Sequence, residues 1–314
     1  MTGGLAAVFP PLIMFAFLSC SRGDNMIALS GLTMGTTWSV KVVPGSPAGP
    51  GTPGKPPATK PAAAEREKIW DLVDARLNAV NERMSHYLAT SEVTRFNEFD
   101  STEPAQPPSE EEIHQLLGIT GIAHLPLDTK SLTLSKDDPA VHINLSSVAK
   151  GYGVDQVADA LLDAGYRNFM VEVGGEVRVH GHRADGQPWH VAVERPQFAG
   201  RSLQEVVTIN NGSFATSGDY RNFREVDGRL VSHIIDPNTG RPVGHSLAAV
   251  SVLDSLCVRA DGFATALLVL GPDKGFALAD SLHIAALFLI RKDRDQIEEK
   301  ATPGFRALLG KPLN

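Results

Sequence analysis

The chain has 314 residues, enough for one large or two ordinary domains with ample material for a core. A formal net charge of -7 and an aromatic content of 6% leave neither a basic surface nor a stacking platform, so nucleic acid is not an expected partner. Two cysteines, Cys20 and Cys257, are too few and too far apart for a disulfide framework or a cysteine metal cluster, and Cys257 reads as a small buried hydrophobe.

In chain order, residues 5–18 form the apolar run LAAVFPPLIMFAFL, which is too short for an ordinary membrane span and carries two prolines. Followed by Ser19 and Cys20, it reads as an export signal over residues 1–19 with Cys20 as a lipidated new N-terminus; a disordered apolar leader is the alternative. Residues 26–43 have strand character and need a sheet to join, whereas the Pro-, Gly- and Ala-rich residues 44–64 read as a flexible surface insertion. Residues 65–84 place Ile69, Leu72, Val73, Leu77 and Val80 at helical spacing. Thr90 or Ser91 before Glu92 opens a short second helix. Tyr87, in the loop between them, is either a ligand-stacking group or a lid over the core. A Pro- and acid-rich segment at 101–112, a short helix over 113–122 and a short strand over 131–134 follow.

Residues 141–181 carry the densest pattern. Residues 141–145 alternate like a half-buried strand, Ser146 and Ser147 stand where a helix N-cap is needed, and Val154, Val157, Ala158, Leu161 and Leu162 share one helical face. Gly165 closes that helix and residues 169–173 begin the next strand. Gly174 and Gly175 then interrupt the strand pattern, which implies a bend or a close approach to the backbone. Lys150 lies near the positive end of the helix dipole, a conflict that a bound anion would resolve. The Ser-Ser turn, Lys150, Gly151 and Gly153 therefore form a candidate phosphate seat, against the alternative of a capped helix with a solvated lysine.

Residues 189–194 and 206–209 read as strands, and 216–219 (TSGD) as a tight polar turn in which Ser217 offers a hydroxyl. His233 sits at a strand end before the strong turn signal Asp236-Pro237-Asn238-Thr239-Gly240, a placement that suits proton transfer or simply a backbone hydrogen bond. Asp261 and Thr265, four residues apart in a helical pattern over 258–271, form an oxygen-donor pair suited to Mg2+; Asp261 could equally be a first-turn dipole partner. Short strands mixed with a few good helices indicate a mixed sandwich of sheet and helix.

The blocks MGTTW, MSHYLATSEVTRFN, INLSSVAKGYGVD, VEVGGEVRVHG, ATSGDYRNF, HIIDPNTGRPV and ADGFATAL, in that order, resemble the FAD:protein FMN transferase (ApbE) family of bacterial flavin transferases. The resemblance implies an α+β fold of mostly antiparallel sheets packed with helices, ApbE-like or T-fold-like, as one unit over residues 26–290 with a C-terminal tail over 291–314. It implies FAD as substrate, Mg2+ as cofactor, and transfer of FMN to a Thr or Ser hydroxyl of a client protein of the respiratory flavoprotein type, with release of AMP. An Mg2+-dependent FAD pyrophosphatase and a non-catalytic flavin-binding protein are the alternatives. By the same resemblance His233 is the base. Met34, Tyr87, Asn144, Lys150, Gly174, Gly175, Ser217 and Ile235 are the FAD-binding positions, and Asp261, Thr265 and the backbone oxygen of Ser147 hold the metal. Departures from the family pattern are Asn144 for a usual Asp, Glu172 before the paired glycines, Ala264 at a position acidic in some members, and a shorter segment over 97–144. The expected location is the periplasmic side of the bacterial inner membrane, through a lipid anchor.

Overall fold

A computed structural model of the chain describes residues 26–45, 63–85, 88, 90–97, 109–196, 203–219, 223–226, 229–293 and 296–308. The first elements are strands β1 (Ile27–Thr33) and β2 (Thr36–Val42), helices α1 (Ala63–Met84), α2 (Glu92–Asn97) and α3 (Glu110–Leu117), short strands β3 (Leu127–Asp128) and β4 (Thr133–Leu134), and helix α4 (Ala149–Asp163). Next come β5 (Phe169–Val173), β6 (Glu176–His180), β7 (Trp189–Glu194), β8 (Leu203–Ile209), β9 (Gly212–Gly218), β10 (Phe223–Val226), β11 (Arg229–Ser232), β12 (Ile235–Asp236), β13 (Arg241–Pro242) and β14 (Leu247–Asp254). Helix α5 (Cys257–Ser281), β15 (Ala285–Arg291), β16 (Ile297–Ala301) and α6 (Pro303–Leu308) complete the set.

Eight strands form one sheet in the order β1-β2-β5-β6-β9-β14-β15-β16, and every neighbouring pair is antiparallel. Alternation along each strand assigns its residues to two faces. Phe169, Val171 and Val173 of β5 turn toward α1 and α4, where they meet Ile69, Val73, Leu77, Val157 and Leu161 in one apolar core. Val250 and Val252 of β14 and Ala286 and Phe288 of β15 meet Ala260, Ala264, Leu267 and Leu268 of α5 in a second. The opposite face is covered by the β7–β8 ribbon and by α6, through Trp189, Val191, Val193, Val207 and Phe305. Each of these large side chains contributes about 1.5–3 kcal/mol by leaving water.

Strand β6 lies between the two helix-side cores, and its pattern is inverted. Val177 and Val179 face the ribbon, so Glu176 and Arg178 face the helices. The line where α4 and α5 meet is consequently polar, and there each helix caps the other. Asp155 of α4 accepts the backbone N–H groups of Cys257 (3.0 Å) and Val258 (2.9 Å) at the start of α5. Asp261 of α5 accepts the N–H of Gly151 (2.9 Å) in the first turn of α4. Neither helix has a side-chain cap of its own, so these carboxylates satisfy orphan donors that a local Ser or Asp normally takes. Gly151 is a glycine because the helices touch there: a Cβ would lie 2.5 Å from the Cys257 carbonyl oxygen.

Several sequence expectations are corrected. The strand character of 26–43 resolves into two strands, because Met34 (φ 47°) and Gly35 (φ 70°) turn the chain between the paired Thr33 and Thr36. Residues 141–145 join no sheet; the side-chain amide of Asn97 instead pairs with both backbone groups of Ile143 at 2.7 Å, as a neighbouring strand would. Ser146 and Ser147 do not cap α4, whose N-cap is Val148. Residues 216–218 belong to the interior strand β9, and only Asp219 lies beyond it. The helix expected over 113–122 is α3, which starts earlier because Ser109 and Glu112 form a capping box. Helix α5 continues past Gly271, where it breaks before Pro272. The segment expected as a tail carries β16 and α6, with Phe305 buried. Cys257 is buried, and burial pushes its thiol well above the usual value, as suits a packing residue.

Asp155→Ala removes the side-chain acceptors of two backbone N–H groups and leaves Arg178 without its nearer carboxylate, so chemical denaturation should show a loss of about 3 kcal/mol. A loss within about 0.5 kcal/mol, the size of an ordinary surface substitution, would show that the cross-capping is not what joins the helices.

Candidate functional site

The polar line between α4 and α5 gathers four carboxylates, Asp155, Asp159, Glu176 and Asp261, against two cations, Lys150 and Arg178. Arg178 binds Asp155 at 2.8 Å and Asp159 at 3.0 Å. Lys150 holds Glu176 at 2.6 Å and stands 3.7 Å from Asp261. Glu176 is 1% exposed and Asp261 2%, and the Glu176 Oε2 atom has no hydrogen-bond partner. Burial pushes the Glu176 carboxyl above its ordinary value, against the pull of Lys150. Asp261 is raised by burial too, against the pull of Lys150 and its bond from Gly151. Burial alone would lower Lys150, but Glu176 and Asp261 outweigh it and hold the ammonium above its ordinary value. The Lys150 side chain keeps 32% of its surface exposed, and its charge is engaged by Glu176 and Asp261.

Two hairpin tips stand over this cluster. Val173 pairs with Glu176, so Gly174 (φ 60°) and Gly175 (φ 105°) alone make the turn, a geometry that requires positive φ at both positions. A Cβ on Gly174 would lie 3.1 Å from Lys150 Cδ and 3.0 Å from Thr36 Cγ2. The bend and the close approach implied by the sequence are both present. The β1–β2 tip brings Met34 against α4, with its Cε 2.9 Å from where a Gly153 Cβ would stand. Met34, Lys150, Gly174 and Gly175 therefore meet at the start of α4. Glu172 lies apart, on the other face of the sheet, where it accepts Ser39 Oγ (3.0 Å) and the Gly175 N–H (2.8 Å).

On the other side of Asp261, Thr265 Oγ1 is 3.0 Å from Ser217 Oγ, which β9 turns toward α5. Ser147 precedes Val148, whose side chain lies against Gly262 of α5. Asn144 is exposed, and its side chain accepts the Ser146 N–H at 2.9 Å, which shapes the turn into α4. His233 is exposed in the link between β11 and β12, and β12 packs against α5. Ile235, at 49% exposure, begins β12. The turn after it is held by the Asp236 carbonyl, which accepts the N–H of Gly240 at 2.8 Å. Tyr87 and Cys20 lie outside the described residues.

The ApbE family model matches residues 98–288. The chain belongs to the ApbE family. It is 37% identical to the FAD:protein FMN transferase of Vibrio cholerae, over 93% of this chain and 95% of that one. It is 34% identical to the protein of the same name from Haemophilus influenzae, over 98% of each. Among solved structures, the flavin transferase ApbE from Vibrio cholerae superposes with a TM-score of 0.74 at 35% identity, covering 90% of this chain and 99% of that one. The apo flavinyl transferase ApbE of Pseudomonas stutzeri gives 0.75 at 32% identity, covering 92% and 98%. The fold is the α+β arrangement expected of this family.

Membership of the ApbE family leaves Glu176, Asp155 and Arg178 to be found by structure, because the sequence reading singled out none of them. One signal was available: the first residue after a glycine pair in a strand whose valines fall at 177 and 179 must face the opposite side, toward the helix that carries Lys150.

Proposed function

We propose that this chain is an FAD:protein FMN transferase in which FAD is held over the start of α4 and Mg2+ by the start of α5. The observation that carries the reading is the pair Asp261 and Thr265, which project from one helical face beside Lys150 and Ser217. Mg2+ is held by one or two carboxylates, with waters and substrate phosphates in its remaining positions. The residues present fit such an ion. Asp261 gives one oxygen to Gly151 and keeps the other, whose Lys150 contact is a long 3.7 Å, and the surrounding carboxylates outnumber the cations. Asp261, Thr265 and the Ser147 backbone oxygen are the proposed ligands. Bound there, Mg2+ would neutralise diphosphate charge and the charge that develops on departing AMP.

The remaining steps belong to the chain's own groups. Met34, Tyr87, Asn144, Gly174, Gly175, Ser217 and Ile235 are proposed to position FAD, and Lys150 to donate to its phosphates. His233 takes the proton of the acceptor Thr or Ser hydroxyl. The freed oxygen bonds to the flavin-side phosphorus, the bond from that phosphorus to the bridging oxygen breaks, and AMP leaves with the electron pair. The client is proposed to be a respiratory flavoprotein subunit. Cys20, behind the apolar run 5–18, is proposed to carry a lipid that anchors the enzyme on the periplasmic side of the inner membrane.

Incubation of a client carrying the acceptor Thr with FAD, Mg2+ and enzyme should add FMN, detected by mass spectrometry, and release equal AMP. His233→Ala should slow labelling by about 100-fold or more. AMP release without labelled client would identify an FAD hydrolase, and equal labelling by the variant would remove His233 from its role.

A further inference from the structure

The transferase reading uses Lys150 and Asp261 but gives no task to the buried carboxylate between them and the sheet. Glu176 has no solvent to neutralise it, and one of its oxygens has no partner. A buried charge of this kind is retained only where something compensates it, and here the compensation is the Lys150 ammonium at 2.6 Å. The same ammonium lies 3.7 Å from Asp261, beyond hydrogen-bond reach. The two distances describe a choice. Lys150 could serve either carboxylate, and it serves Glu176.

We propose that Glu176 is a positioning residue: its carboxylate draws the Lys150 ammonium off Asp261 and so leaves an Asp261 oxygen open to a divalent cation. An ammonium seated on Asp261 would occupy that oxygen and repel a second cation beside it. The backbone supports the arrangement. Glu176 is the first residue after the Gly174–Gly175 turn, paired with Val173, which fixes where its carboxylate begins. The Lys150 stem passes beside Gly174, where the missing Cβ leaves it room to reach Glu176. Removing the Glu176 charge leaves Asp261 as the remaining carboxylate within reach of Lys150, and the ammonium moves onto it. The inference rests on the proposed cation site but not on flavin transfer.

The test is Mg2+ binding by calorimetry to the full chain without FAD, alongside melting temperature. Glu176→Gln should weaken Mg2+ by about tenfold or more, the size expected when a partner behind a metal ligand is lost. Lys150→Met should tighten it, because the competing cation is gone. The double variant should recover most of what Glu176→Gln loses, a reversal that a purely structural role does not produce. A folded Glu176→Gln protein with unchanged Mg2+ affinity overturns the proposal, as does weaker binding by Lys150→Met, which also keeps the test decisive if Glu176→Gln fails to fold. Mg2+ affinities as expected together with no client labelling by the wild-type protein would count against the transferase reading and leave this inference standing.

Discussion

Two helices that lack caps of their own cap each other, and the placement of Lys150, Asp261 and Thr265 follows from that. Asp155 closes the start of α5 and Asp261 closes the start of α4, at distances of 2.9–3.0 Å. Each carboxylate meets backbone donors at a helix end where the dipole favours negative charge. The two starts are thereby held side by side, close enough that Gly151 has no room for a side chain. Asp261 serves twice, as a cap and as the proposed cation ligand, so the part that joins the helices is also the part that places the chemistry.

This arrangement carries a cost that the rest of the sheet offsets. Burying charge is unfavourable unless each group is paired, and the line between α4 and α5 contains six charged groups in a sheet otherwise packed by valine, leucine and phenylalanine. Two apolar cores flank the line and pack the helices onto the sheet. The polar strip can therefore be tuned for binding while the cores hold the sheet. The Lys150 ammonium, the Asp261 carboxylate and the paired hydroxyls of Ser217 and Thr265 lie along this line, donors for the proposed FAD diphosphate and oxygen ligands for the proposed Mg2+.

Much of this was legible in the sequence. Helix α1, strands β5 and β7, and the Asp236 turn follow from apolar periodicity and turn chemistry, and Asp261 and Thr265 were found as a helical pair. What escaped was whatever depends on residues distant in the chain. The serines before α4 look like caps, but the acceptor that wins comes from 110 residues away. Residues 141–145 alternate like a strand, yet their partner is the side chain of Asn97. The polar residues 216–218 look like a turn, but they lie in strand β9, where Thr216 is bonded to Ser251 of β14 and Ser217 to Thr265 of α5. Glu176 was missed because a lone acid at a strand start is unremarkable until the helix above it is placed.

The central claim is that a metal ion and the FAD diphosphate share the start of α5 with Lys150 and Glu176. Anomalous diffraction from crystals grown with Mn2+ and FAD tests it most directly. The account predicts one Mn2+ peak held by the Asp261 carboxylate and the Thr265 hydroxyl, with the diphosphate between it and Lys150. A peak bound elsewhere, with Asp261 still committed wholly to Gly151 and Lys150, would contradict it.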